Sequence, residues 1–234
     1  LVQDGVQSLL VQPHLSVRQR QSALRFVEAR EGREGLQRLA ELVPAEEDIQ
    51  RREDFTAGGM TFSSNLKQQM QGSLLVFKSG LGSAADLALD GFDSHDIHDP
   101  VSETLLAHFA DAVHFFWDYA PELGLADRIV LVIGSDFGRT NFYNDGNGKD
   151  HWPIGSVIVM QSDPAWGDRM LGKTDEGQNA LSIDPQRLIE DEVNGSVIYP
   201  KHVHKALRGL LGLSGSTLEQ RFAFNNTETF NFFS

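Results

Sequence analysis

Five consecutive apolar residues, Ile129 to Ile133 in the stretch RIVLVIGSDFG, constrain this chain more than any other feature. A run this short, closed by Gly134, reads as a strand. Its lack of alternation reads as burial on both faces. Such strands belong to sheets covered by helices, so the expected class is α/β. The neighbouring segments fit that class. AADLALDG places Ala85, Leu87 and Leu89 on one side and predicts a strand ending near Asp90. GSVIVMQ, residues 155 to 161, predicts another strand. A helix is expected between the first two strands, capped by Asp99 and opened by Pro100, with Leu105, Phe109, Ala112 and Phe116 on one stripe. Strand, helix, strand predicts a right-handed crossover and a largely parallel central sheet flanked by helices.

Residues 16 to 43 predict helix through Leu24, Val27, Leu36, Leu39 and Val43, with Gly32 and Gly35 splitting it in two and Pro44 ending it. PAEEDIQRREDF reads as a charged, solvated connector. Residues 61 to 80 predict another helix, on Leu66, Met70, Leu74 and Phe77, stopped by Gly80 and Gly82. Residues 200 to 213 predict a short helix, and RFAFNNTETFNFFS an extended tail or interface support. The chain thus divides into a helical N-terminal segment (1–57), an α/β core (58–213) and an aromatic, Asn-rich tail (214–234).

A formal net charge of -13 argues against a nucleic-acid backbone as partner. The absence of cysteine excludes disulfides, thiolate zinc sites, iron–sulfur clusters and cysteine nucleophiles. No apolar run approaches the ~18 residues of a membrane span. A metal site in this chain must therefore be built from carboxylates, imidazoles and neutral oxygens.

Two polar clusters stand at predicted carboxyl ends of strands, where ligands of such sheets bind. DGFDSHDIHDP offers Asp90, Asp93, His95, Asp96, His98 and Asp99. SDFGRTNFYNDGNGKDHW offers Asp136, Arg139, Asn144, Asp145, Asp150 and His151. Converging carboxylates and imidazoles suit a divalent cation: zinc, manganese, iron or magnesium. Each cluster also has a plain structural reading. Asp99 reads as a helix cap, Asp145 as a turn residue, Asp136 as a loop cap and Asp90 as part of a strand's outer face. His108 and His114 read as surface or satisfied core histidines. The DFG triplet lacks the HRD segment and Gly-rich loop that a kinase reading requires.

DGFDSH, LGLADRIVLVIGSDFGRTNFYNDGNGKDHWP and VIYPKHVHKALRGLLGL, in this order over residues 58 to 213, resemble the bacterial family called domain of unknown function 1501. Its usual motifs are G-[WF]-D-T-H, S-E-F-G-R-T and T-D-H-G, and it is related to the sulfatase and alkaline phosphatase superfamily. The resemblance implies an α/β sandwich with a metal-supported site, and export by the twin-arginine route to the periplasm or beyond. It implies Asp93 and His95, Asp136 (a carboxylate where the family usually has Glu) and His151 as metal ligands. Asp150 is implied either as a ligand or as the partner that orients His151. Arg139 is implied either as a catalytic anion-binding group or as a loop salt bridge. His98 ranks lower as a further ligand, and Thr140 is the hydroxyl nearest the motif.

The chain departs from alkaline phosphatase-like enzymes in two ways. Asp93 has no histidine four residues on, and Phe137 rather than His follows Asp136. The superfamily's early strands, with the first ligand and the Ser or Thr nucleophile, have no counterpart in residues 1 to 57. That leaves two expectations: a partial chain, or a member that has lost half of the site. The leading functional expectation is a metal-dependent hydrolase acting on a small anionic phosphate or sulfate ester. The alternative is a catalytically degenerate binding or assembly protein that retains the fold.

Overall fold

The computed structural model describes residues 17–234; residues 1–16, including the first residue of the expected N-terminal helix, lie outside them. The described chain divides into two units. One runs to Asp93 and resumes over Asp99–Ala126; the other comprises Ser94–His98 and Asp127–Ser234. Among the described residues no helix is long and apolar enough to cross a membrane.

The first unit is helical. Helix α1, Val17–Leu42, is continuous and is not split at its glycines. Gly35 is buried because Leu81 lies against it; a Cβ there would stand 2.6 Å from Leu81 Cδ2. The glycine serves close packing rather than helix termination, and Arg38 Nε fixes the contact by donating to the Ser79 carbonyl at 2.8 Å. Gly32 has nothing within 4 Å of a Cβ position. Gly32→Ala is therefore expected to stabilise the unit by about 0.5–1 kcal/mol, read as a raised denaturant midpoint with unchanged slope.

Strands β1 (Glu53–Ala57) and β2 (Met60–Ser64) form an antiparallel hairpin. Gly58 and Gly59, both at positive φ, make the two-residue turn that such hairpins favour. Phe55 and Phe62 face each other across it with ring centroids 5.9 Å apart. The first strand thus rises out of the expected connector. Helix α2, Leu66–Ser79, buries Met70 and Leu74 as its periodicity predicts, and Gly80 caps it in the left-handed conformation. Helix α3, His98–Glu122, buries Val101, Leu105, Ala112, Phe116 and Ala120 on one stripe. Each large buried side chain of this kind is worth roughly 1.5–3 kcal/mol. Lys67 joins α2 to both neighbours, lying 2.5 Å from Asp111 and 3.3 Å from Glu53. Hydrogen bonding to Asp111 above all holds its pKa up.

The second unit carries two short ribbons and the C-terminal helices. Strand β3, Leu131–Ile133, pairs antiparallel with β6, Ile158–Met160. Strand β4, Gly138–Arg139, pairs antiparallel with β5, His151–Trp152. Helices α4 (Pro200–Leu210) and α5 (Thr217–Arg221) follow. Ile183, Phe230 and Phe232 form the apolar cluster, with Leu171, Ile198, Val203 and Ala206 packed against it. The aromatic tail is thus part of this unit's core.

This architecture corrects the expected largely parallel, alkaline phosphatase-like sheet. Among the described residues the strands form three separate two-stranded antiparallel pairs. Two local causes are visible. Residues 84–90 are not a strand. Their ladder partner is a side chain: Gln69 Nε2 donates to the Ala88 carbonyl at 2.9 Å, and its Oε1 accepts the Ala88 N–H at 3.0 Å. One amide satisfies both backbone groups that a neighbouring strand would take. The apolar run of Ile129 to Ile133 supplies only three strand residues, and Val132 at their centre is 45% exposed. The chain between β3 and β6 folds as the β4–β5 ribbon instead of a crossover helix, and its return gives the antiparallel register.

Candidate metal centre

The centre begins with the segment Ser94–His98, which is stitched to the loop before β5. Lys149 N–H donates to the Ser94 carbonyl at 3.1 Å, Ile97 N–H to Gly146 at 3.1 Å and His98 N–H to Asn147 at 2.9 Å. Asn144 Nδ2 adds a bond to the His95 carbonyl at 2.9 Å. Gly148 makes the approach feasible, since a Cβ there would lie 1.7 Å from the His95 carbonyl oxygen. Within the segment, Ser94 Oγ and His98 Nδ1 are 2.6 Å apart.

His151 stands on β5 opposite Arg139. Phe137 stacks on its ring with centroids 4.0 Å apart. The segment and the ribbon together bring His95 Nε2 to 3.0 Å from His151 Nε2. Asp93, immediately before Ser94, completes a group of three: one ligand atom from each of Asp93, His95 and His151 lies within 4.8 Å of the others. Ligand bonds of ~2.0–2.2 Å in tetrahedral geometry put donor atoms about 3.3 Å apart, so the spread suits one cation with little movement. Two imidazoles and a carboxylate are a donor set used by zinc and by non-haem iron.

Asp150 lies behind His95. Its Oδ1 is 2.8 Å from His95 Nδ1 and 3.2 Å from Asn144 Nδ2. Hydrogen bonding from His95, then from Asn144, holds the Asp150 carboxyl below the usual aspartate range. An ionised carboxylate only accepts, so His95 Nδ1 donates to it and Nε2 is the ring atom that faces His151. Carboxylate, histidine and metal in that order is the arrangement that fixes a ligating imidazole's tautomer and orientation.

Of the six residues singled out in the sequence, Asp93, His95 and His151 come together, and Asp150 supports His95 from behind. Asp136 lies exposed in the bend between β3 and β4, outside the group of three. Arg139 sits on β4 with its guanidinium 5.5 Å from the Phe137 ring centroid, and Nη1 donates to the Lys149 carbonyl at 3.0 Å. Thr140 is buried in the loop scaffold, where its hydroxyl donates to the Phe142 carbonyl and accepts the Asp150 N–H. His108 stacks on Phe55 and His114 pairs with Asp118, both in the first unit. The sequence places Asn144 among the polar residues of the second cluster without a positioning role and gives no role to Gly148; the signal was the NDGNG run, in which only Asp145 reads as a turn residue.

No curated protein and no solved structure matches the chain. The family described as Protein of unknown function (DUF1501) matches over residues 14–188, which include Asp93, His95, Asp150 and His151. With more than half of its length matched, this chain belongs to the DUF1501 family.

Proposed function

We propose that the chain binds a divalent cation through Asp93, His95 and His151 and hydrolyses a small phosphate or sulfate ester there, as a relative of the sulfatase and alkaline phosphatase superfamily. The observation that carries the reading is the group of three ligand atoms within 4.8 Å, with Asp150 on the far side of His95. A bound divalent cation supplies Lewis acidity toward an anionic ester oxygen. The chain's own residues prepare that site. Asp150 accepts from His95 Nδ1, so that Nε2 is the ring atom facing His151, and Phe137 restricts the His151 ring by stacking on it. Arg139, the cross-strand partner of His151, is assigned to the ester's anionic oxygens.

The test is metal analysis of protein purified without added metal, followed by assays with p-nitrophenyl phosphate and sulfate in zinc, manganese, iron and magnesium. Stoichiometric metal is expected in the wild type. His95→Ala and His151→Ala are each expected to weaken metal affinity by at least 100-fold, since one of three protein ligands is lost. Unchanged metal content in both variants sinks the assignment. Asp136→Asn reads the remaining sequence expectation directly, because a drop in metal content would add Asp136 to the ligand set. Metal bound without ester turnover in any arm replaces the hydrolase reading with the degenerate binding protein.

A further inference from the structure

We infer that Asn144 is the positioning residue of this centre: one side-chain amide sets both the backbone of His95 and the carboxylate that fixes the His95 ring. The inference rests on the metal reading above but is carried by separate contacts. Asn144 Nδ2 donates to the His95 carbonyl at 2.9 Å and to Asp150 Oδ1 at 3.2 Å. Its Oδ1 accepts the N–H groups of Gly146 at 3.0 Å and Gly148 at 2.9 Å. The amide cannot be flipped. The two partners of nitrogen, a carbonyl and an ionised carboxylate, only accept, and the two partners of oxygen are N–H donors. Every hydrogen-bonding position of the amide is therefore used, which is the condition for a polar group to specify one geometry.

The two halves of the amide do different work. The oxygen half folds the 144–148 loop, which Asn144 N–H also closes by donating to the Gly148 carbonyl at 2.9 Å. The nitrogen half reaches out of the loop to the centre. It ties the main chain of one ligand, His95, to Asp150, which bonds that same ligand's ring through Nδ1 at 2.8 Å. Main chain and ring of His95 are thus referred to a single atom, and a shift of Asn144 moves both.

Asn144→Asp separates the halves, because it keeps the acceptor for Gly146 and Gly148 and replaces the donor by an oxygen facing two acceptors. The measurements are ¹⁵N NMR of the His95 imidazole in metal-free protein and a zinc titration of the same samples. The controls are wild type and Asp145→Ala, an exposed change in the same loop. Wild type and Asp145→Ala are expected to show His95 as the Nδ1–H tautomer. Asn144→Asp is expected to lose that predominance and to bind zinc about 10–100-fold more weakly, the usual cost of removing support for a ligand. The Gly146 and Gly148 amide resonances report whether the loop survives. Should Asn144→Asp fail to fold, Asn144→Ser carries the same comparison, since its hydroxyl accepts from the loop but is one atom too short to bridge both acceptors. A variant with the wild-type tautomer and zinc affinity overturns the inference. Absence of zinc binding in wild type defeats the metal reading alone, because the tautomer comparison needs no metal and still decides the role of Asn144.

Discussion

Gly148→Ala is expected to dismantle the centre and to destabilise the second unit by about 3 kcal/mol, the upper end of the usual cost of overpacking. The reason is a backbone contact. The added Cβ would stand 1.7 Å from the His95 carbonyl oxygen and 2.4 Å from the Asp96 nitrogen. A flexible side chain can rotate away from such an intrusion, but a peptide unit moves only by taking its neighbours with it. The neighbours here are Ser94 to His98, whose register depends on bonds to residues 146, 147 and 149. Displacing the loop by the ~2 Å needed for ordinary contact lies beyond hydrogen-bond range for those pairs. The measurements are zinc affinity and thermal midpoint. Binding is expected to fall below detection and the midpoint to drop by roughly 10 °C, at about 2–4 °C per kcal/mol for a domain of this size. Wild-type zinc affinity with an unchanged midpoint would refute the account of how His95 is placed. Gly32→Ala, of opposite expected sign in an uncrowded helix, shows that the effect belongs to the site and not to glycine replacement in general.

The parts of the fold that were legible in the sequence are those whose energetics are local. The stripe of Leu66, Met70 and Leu74 marks α2, and Leu105, Ala112 and Phe116 mark α3, because burial at helical spacing acts within one segment. Gly80 ends its helix for an equally local reason, its left-handed conformation. Strand identity is less local, since a strand needs a partner that its own residues do not name. Residues 84–90 alternate as a strand should, yet the Gln69 amide takes the bonds at Ala88. The β1–β2 hairpin escaped notice although Gly58-Gly59 is a turn signal, because its second strand was absorbed into the helical pattern beginning nearby.

The same division runs through the site. Asp93, His95 and His151 were legible because imidazoles and carboxylates announce their chemistry by type. Asn144 and Gly148 were not, since their roles lie in bonds to residues about fifty positions away and in space denied to a side chain. Asp150 falls between the two. Its type was informative, but the sequence offered the adjacent His151 as its partner, whereas the fold gives it a bond to His95.

His202→Ala is expected to release the C-terminal tail and cost about 2–4 kcal/mol, the sum of a cavity and a stranded hydrogen-bond donor. His202 is 1% exposed on α4. Its Nδ1 accepts the Tyr199 N–H at 3.0 Å, its Nε2 lies 3.0 Å from Glu228 Oε2, and its ring centroid is 4.9 Å from that of Phe230. Truncation removes the acceptor of the Tyr199 N–H, returns the half-exposed Glu228 carboxylate to solvent and removes the ring packed against Phe230. Trypsin cleavage at Arg221, which is already exposed, is expected to accelerate in the variant, because tail release frees the backbone that Arg208 holds at the Phe222 carbonyl. An unchanged cleavage rate with wild-type stability would show that the tail is held without His202, by its phenylalanines and by its hydrogen bonds to Arg169, Pro185, Gln186 and Lys205. Acid provides an independent check on the same contact. The Glu228 carboxyl is held below its usual range by its own backbone N–H, then by His202. A lowered carboxylate pKa stabilises the fold above the unfolded value of ~4.3 and loses that contribution as pH falls through the folded value. Asp184 and Asp191 are lowered in the same direction, by backbone N–H groups of Arg187 and of Asn194 first. These three groups therefore leave stability level between pH 5 and 7 and reduce it below about pH 4. Glu228→Gln removes one of the titrating groups, so its denaturation midpoint plotted against pH should fall less steeply on the acid side than that of wild type. Coincident acid limbs for the two proteins would show that the His202–Glu228 contact adds nothing to the hold on the tail.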